Sequence, residues 1–351
     1  MKRYLILAEG YVTDPHYGKT MRGVMRYGRD QVVALLDTAH AGETIEGLPV
    51  VGSVADALAY EPDTALVGVA PQGGRLPPVW QAILRESVAA GLDLESGMHF
   101  FLADDPELVE LAREQAVELR DLRRPPADLS VPTGANLGHG AAVVLTVGSD
   151  CAIGKMTVSL ELDRAARARG LESVFVPTGQ TGIAIAGWGI SVDAVVADFV
   201  AGAAERLVVE GAERGDLIWV EGQGSLIHPQ YSGVTLGLLH GSAPHVLVLC
   251  HQPGDTEIEG CPGHPIPPLA ELVELHERIA LPARPTRVVG VALNTRRLSE
   301  EEARAAAEEI EVELGLPTDD PVRFGADRLL DAVLAGLPAG IQLRQSGIRA
   351  G

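Results

Sequence analysis

Apolar residues along the chain fall into short β-rich runs separated by longer stretches with helical spacing. Tyr4–Ala8, Val32–Leu36, Leu48–Val51 and Ala65–Val69 are runs of the first kind, with His99–Leu102 a further candidate, and each reads as a strand. Met21–Arg29, Val54–Tyr60, Pro77–Ala90 and Pro106–Leu122 are of the second kind and read as helices. The alternation predicts parallel βα units, because parallel neighbours need a crossover and a helix supplies it. The first part of the chain is therefore predicted to be a Rossmann-like α/β domain, residues 1–122.

At Leu122-Arg123-Arg124-Pro125-Pro126 a helix must stop, since proline lacks a donor and restricts its predecessor. Polar, glycine-rich sequence runs on to Gly140, which makes 123–140 a linker. The pattern then restarts with a strand at Ala142–Val147, a loop, and a helix from Lys155 to Arg169. Further strands at Ser173–Pro177, Asp216–Glu221, His245–Cys250 and Val288–Leu293 predict a second, P-loop NTPase-like doubly wound domain with a mainly parallel sheet, residues 141–351. Ser299 and Glu302 have capping-box spacing before an acidic helix that Gly315 and Pro317 stop near Leu314. The glutamates of that helix read as a solvated face.

The loop after the first strand of this second domain carries the strongest chemical signal. Gly148, Ser149, Asp150, Cys151, Ala152, Ile153, Gly154, Lys155, Met156 and Thr157 form a glycine-bounded turn that opens a helix. In such a turn successive N–H groups converge on an anion, the helix N-terminus adds partial positive charge, and the lysine reaches the outer phosphates. Two features depart from G-x-x-x-x-G-K-S/T: five residues separate the two glycines, and Met156 stands where a hydroxyl is expected, leaving that role to Thr157. A second Gly18-Lys19-Thr20 lacks the upstream glycine and reads as incidental.

Beyond the loop, Glu221 to His245 concentrates glycines with Gln223, Ser225, His228, Tyr231 and Thr235 at the carboxyl end of a strand, where open α/β sheets bind ligands. Thr178, Gln180 and Thr181 lie in a similar loop after the preceding strand, and Asp193 follows as a carboxylate able to accept an amine. Thr178, Gln180, Thr181, Gln223, Ser225 and Tyr231 are the substrate-contact candidates; a plain glycine-rich turn is the competing reading. Cys250, His251, Cys261 and His264 lack paired metal-ligand spacing. Asp37 ends the second strand where a dinucleotide enzyme holds a ribose, yet no G-x-G-x-x-G precedes it, and Gly68–Gly74 follows a later strand.

Composition narrows the partners. The formal charge of -20 opposes binding to a nucleic-acid backbone. No apolar stretch has the length of a membrane span, and Glu9 and Asp14 interrupt the first apolar run before it can serve as a signal peptide. Three cysteines in no framework suit a reducing compartment. A cytoplasmic homo-oligomer with a small-molecule substrate, and with no nucleic-acid or membrane partner, is the expectation. Lysine occurs only at positions 2, 19 and 155, so Lys155 stands out.

The long loop resembles that of dethiobiotin synthetase and its ATP-dependent relatives, which place a short hydroxyl residue and an Asp after the first glycine, as Ser149 and Asp150 do here. The resemblance continues in Val220-Glu221-Gly222-Gln223-Gly224 and implies magnesium ligation by Glu221, with Thr157, if the enzyme uses ATP. Over nearly its full length the chain resembles the D-glutamate N-acetyltransferase (DgcN-like) family. Gly18-Lys19-Thr20, Val147 to Thr157, Val176 to Thr181 and Glu221 to Pro229 carry this likeness. It implies a Rossmann-like domain followed by a P-loop domain, and acetyl transfer from acetyl-CoA to a D-amino acid such as D-glutamate. The loop would then hold the phosphates of coenzyme A. Such a reaction needs a base, for which His228, Glu221 and Asp193 are candidates, and oxyanion donors, for which the amides of Gly222 to Ser225 serve. An ATP and magnesium dependent ligase or kinase, and a non-catalytic nucleotide-binding protein, are the alternatives.

Overall fold

The computed structural model describes residues 1–14, 17–69 and 77–345. Pro15, His16 and the part of the Gly68–Gly74 loop beyond Val69 lie outside the described residues. The chain forms two compact units, Met1–Pro125 with Gly179–Ala194, and Pro126–Thr178 with Val195–Gly351.

In chain order the first unit contains β1 (Arg3–Leu7), α1 (Lys19–Tyr27), β2 (Gln31–Leu36), β3 (Thr44–Ile45), β4 (Leu48–Val51), α2 (Val54–Ala57), β5 (Thr64–Val67), α3 (Pro78–Ala89), β6 (Asp93–Ser96), α4 (Pro106–Gln115) and β7 (Leu119–Asp121). The strands lie in the order β3-β4-β2-β1-β5-β6-β7, parallel throughout except for the β3–β4 edge pair. This is the Rossmann-like arrangement. Leu5, Leu7, Ala65, Val67, Trp80 and Leu94 form its enclosed core.

Two expectations fail here. His99–Leu102 is not a strand; β6 lies earlier, at Asp93–Ser96, and only a single 3-10 turn follows at Leu102–Asp104. The helix expected to reach Leu122 ends at Gln115, where Ala116 takes a left-handed conformation (φ 56), and the chain continues as β7. The reason is tertiary. Asp93-Leu94-Glu95-Ser96 reads as polar, but the Glu95 carboxylate is fully enclosed and meets Lys2 Nζ, Tyr4 Oη at 2.9 Å and Arg120 Nη1 at 3.1 Å. A buried acid becomes tolerable only when such partners arrive.

The second part contains β8 (Ala142–Gly148), α5 (Lys155–Ala168), β9 (Ser173–Val176), α6 (Gln180–Ala186), α7 (Val200–Ala212), β10 (Leu217–Val220), α8 (Ser232–Ser242), β11 (Val246–His251), α9 (Leu269–Ala280), β12 (Arg287–Leu293), α10 (Glu300–Leu314), β13 (Thr318–Asp319) and α11 (Asp327–Gly336). Its sheet is parallel, in the order β13-β12-β11-β8-β10-β9. Every residue of β8 is buried, as a strand covered by helices on both faces requires. Trp219 on β10 is enclosed with its indole N–H donated to Ser173 Oγ at 2.7 Å, so the large ring buries no unpaired donor. The capping box forms as expected: Ser299 Oγ accepts the Glu302 N–H at 3.3 Å and Glu302 Oε2 accepts the Ser299 N–H at 2.8 Å.

The helix α6 departs from chain order by packing in the first unit, against α1. Thr20 and Thr181 share a hydrogen bond of 2.7 Å, Arg120 Nη2 donates to the Gly187 carbonyl at 3.1 Å, and Arg123 Nη1 meets Asp193 at 2.7 Å. In the linker, Glu205 of α7 accepts the amides of Thr133 and Gly134, each at 2.7 Å, which fixes the chain entering β8.

Candidate active site

β8 ends between β11 and β10, so its loop leaves the carboxyl edge of the sheet at the point where successive crossovers diverge. The turn bends through two left-handed residues, Ala152 (φ 53) and Gly154 (φ 109). A Cβ at Gly148 would stand 2.9 Å from Ile153 Cδ1 and 3.2 Å from Lys155 Nζ, so glycine lets the loop close over the strand end. Among the described residues, the amides of Ala152 to Thr157 have no hydrogen-bond acceptor. Lys155, only 6% exposed, donates its ammonium to the Asp150 carbonyl at 2.5 Å, and burial holds its pKa below the usual lysine range. Unpaired donors and an enclosed cation in one turn are the groups that an anion would meet.

The first half of the loop is closed instead. The Ser149 N–H goes to the Cys250 carbonyl at 3.1 Å, and the Cys151 N–H to Asp150 Oδ1 at 2.6 Å. Asp150 Oδ2 takes the Glu259 N–H at 2.7 Å. Asp150 thus braces the loop against the segment after β11. Burial raises the Cys151 thiol to about 11, leaving it protonated at neutral pH.

The end of β10 presses on this loop. The Gly222 N–H donates to Thr146 Oγ1 at 3.0 Å, and a Cβ there would stand 3.1 Å from Lys155 Cδ. Glu221 Oε2 accepts the Thr178 N–H at 2.9 Å while Thr178 Oγ1 donates to the Glu221 carbonyl at 2.8 Å. Gln223 donates its side-chain amide to Thr178 and accepts, through its carbonyl, from Thr235 Oγ1 at 2.7 Å. Thr178, Glu221 and Gln223 therefore come together, joined across the ends of β9 and β10. Ser225 Oγ is enclosed with no partner among the described residues, and Tyr231, half exposed, has its ring 4.8 Å from that of His228.

His228 lies beside the loop but does not offer a base. Its Nδ1 accepts the Gln230 N–H at 3.2 Å, which requires the proton on Nε2; that nitrogen faces the Glu259 carbonyl at 3.3 Å and Asp150 Oδ1 at 4.0 Å. No ring lone pair remains for a substrate proton. The same tautomer argues against metal. Asp150, Cys151 and His228 place ligand-type atoms within 4.8 Å of one another, but with Nδ1 accepting an amide and the proton on Nε2 the imidazole offers no ligand lone pair.

Asp193, Gln180 and Thr181 belong to the first unit. Arg123 Nη1 lies between Asp193 Oδ2, at 2.7 Å, and Gln180 Oε1, at 3.2 Å, so the Asp193 carboxylate is ion-paired. Asp37, weighed as a ribose acceptor, is enclosed and takes the amides of Gly10, Val12 and Ala39. Its carboxylate pins the turn after β1 and has no room for a sugar diol.

Residues 130–330 match a family described as a P-loop domain of unknown function (DUF1611_C), and residues 37–125 one described as a Rossmann-like domain of unknown function (DUF1611_N). The chain is 39% identical to a D-glutamate N-acetyltransferase of Tritonibacter scottomollicae over 332 residues, 94% of this chain and 98% of the relative. It is 38% identical to a D-glutamate N-acetyltransferase of a Pseudoalteromonas species over 79% of this chain and 83% of the relative. The chain belongs to this family. The crystal structure of a DUF1611 family protein from Anabaena variabilis aligns with a TM-score of 0.90 at 42% identity, covering 95% of this chain and all of that one. Family membership accounts for the paired architecture, a Rossmann-like unit preceding a P-loop unit.

Sequence reasoning missed one residue at this edge. His251, the last residue of β11, hydrogen-bonds Ser149 Oγ through Nδ1 at 2.9 Å. The sequence signal was a histidine ending a buried strand, seen only as part of a poor metal pattern. Its adjacency to the loop arises from the β11–β8 pairing, which aligns Cys250 with Gly148.

Proposed function

We propose that the protein is an acetyl-CoA-dependent N-acetyltransferase that acetylates D-glutamate, with coenzyme A phosphates held by the amides of Ala152 to Thr157 and by Lys155. The observation that carries this reading is the open anion cradle in a chain so similar, over nearly its whole length, to a D-glutamate N-acetyltransferase. Coenzyme A brings a pyrophosphate and a ribose phosphate, so a phosphate loop can bind it without any phosphoryl transfer. A bound polyanion would also offset the charge that burial leaves uncompensated on Lys155.

In the reaction the deprotonated amine attacks the thioester carbonyl, the C–N bond forms and the C–S bond breaks. The amine's proton passes to a base, and the departing thiolate ends as the thiol. Charge on the carbonyl oxygen needs preorganised donors. Gly222 is engaged by Thr146, whereas the amides of Gln223 to Ser225 have no acceptor among the described residues and suit that role.

The test is thiol release from acetyl-CoA, followed with and without D-glutamate. Release that requires the amine is the expected result, and release indifferent to it refutes the reading. Glu221, which follows β10 and precedes the Gly222 that packs on Lys155, also favours an ATP and magnesium dependent ligase with Thr157 and Glu221 on the metal. Phosphate release that requires ATP, magnesium and the amino acid together would establish that second reading.

A further inference from the structure

Resting on the acetyl-transfer reading, we propose that His251 is the base that takes the substrate's ammonium proton, and that the Ser149 hydroxyl is the positioning group that holds its ring. The placement comes first. β11 is the neighbour of β8 on the side opposite β10, so His251 ends one of the two strands that flank the phosphate loop and Glu221 directly follows the other. This is the crevice in which doubly wound sheets hold their ligands.

Hydrogen bonding distinguishes His251 from His228 at the same edge. The Nδ1 of His228 faces an N–H, a donor that cannot turn into an acceptor, so proton uptake would set two N–H groups against each other. The Nδ1 of His251 faces a hydroxyl oxygen, which can accept Nδ1–H from the neutral ring and from the cationic one alike. The contact therefore persists through a full cycle of proton gain and loss. The backbone on either side is fixed as well, by Ser149 N–H to the Cys250 carbonyl at 3.1 Å and Asn294 N–H to the His251 carbonyl at 2.9 Å.

The other nitrogen is available. Nε2 of His251 has no hydrogen-bond partner among the described residues, yet it is not one of the sealed, unpartnered nitrogens such as His276 Nε2. It therefore keeps some solvent contact, although the residue as a whole is only 9% exposed. Burial holds this imidazole below its ordinary pKa, and Asp255, itself paired with Arg297 at 2.8 Å and Gln252 at 2.6 Å, opposes the shift. The ring is neutral near pH 7, as a base must be.

With Nε2 unprotonated and Nδ1–H donated to Ser149, the ring removes one proton from the ammonium. The freed amine lone pair forms the C–N bond to the thioester carbon. The imidazolium then returns its proton to the departing coenzyme A sulfur, which restores the neutral ring, and the second proton of the attacking nitrogen leaves to solvent as the amide forms.

The experiment compares wild type, H251Q, H251A and S149A in the thiol-release assay across pH, with coenzyme A affinity measured separately by calorimetry. H251Q is expected to lose on the order of 10²–10⁴-fold in kcat, to bind coenzyme A as wild type does, and to lose the acid limb of the wild-type profile. Imidazole in the buffer should restore part of the H251A rate. S149A should keep that limb but move it in pH, which a merely structural role would not do. Wild-type kcat with an unchanged acid limb in H251Q overturns this assignment and leaves acetyl transfer standing. Should H251Q fold poorly, an unmoved limb in S149A together with no imidazole rescue of H251A overturns it. A wild-type enzyme that releases no thiol with D-glutamate overturns both.

Discussion

Gly222 and Thr146 meet so closely that a Cβ on the glycine would stand 1.7 Å from the Thr146 carbonyl oxygen, while the glycine N–H donates to the threonine hydroxyl at 3.0 Å. This contact sets the end of β10 against the strand that launches the phosphate loop. No side chain fits there without separating the two strands. Gly222→Ala is expected to lower the melting temperature by several degrees and to weaken coenzyme A binding, both measurable on the purified protein. A stable variant with wild-type affinity would contradict the packing.

Lys155 is an enclosed cation whose ammonium meets, among the described residues, only the Asp150 carbonyl by hydrogen bond. Removing it should leave the fold intact, because burying an uncompensated charge costs stability. Lys155→Ala is expected to raise the coenzyme A Kd at least about tenfold, equivalent to about 1.4 kcal/mol, with no drop in melting temperature. Calorimetric titration and a thermal melt check the two halves of that statement.

His228 supports the loop through Gln230, Glu259 and the neighbouring Asp150. His228→Ala should therefore weaken coenzyme A affinity and lower stability, while kcat at saturating acetyl-CoA stays within a few-fold of wild type. A kcat collapse with unchanged affinity would restore His228 as the base.

Two histidines, His276 enclosed and His245 half-buried, make stability depend on pH. Burial holds His276 at about 4, and burial together with Arg284 does the same to His245, against an ordinary 6.5. The unfolded chain takes up their protons near 6.5 while the folded chain resists until about 4, so stability is complete above the first value and is lost as pH falls toward the second. His276, which donates Nδ1–H to the Leu272 carbonyl at 2.7 Å, should contribute on the order of 3 kcal/mol. Denaturant midpoints at pH 7.5 and 5 are expected to differ, less so in His276→Gln; equal midpoints in the wild type would refute the coupling.

Most strands of both sheets and the phosphate loop were legible because their signals are local. Val143 to Val147 is an unbroken apolar run, and the glycines and lysine of the loop stand at fixed offsets from it. The capping box at Ser299 likewise lies within one helical turn. β6 was not legible, since Glu95 becomes acceptable in a strand only through Lys2, Tyr4 and Arg120.

The sequence by itself determined the two α/β units and the anion-binding turn, for periodicity and loop spacing follow from the geometry of neighbouring residues. Only the tertiary structure distinguishes the surroundings of the two histidines. His228 and His251 are the same side chain, and what separates them is an amide facing one ring and a hydroxyl facing the other. That hydroxyl belongs to Ser149, 102 residues away along the chain. Parallel strand pairing brings the two together, and the position of one strand beside another is fixed by packing across the whole sheet, not by any local pattern.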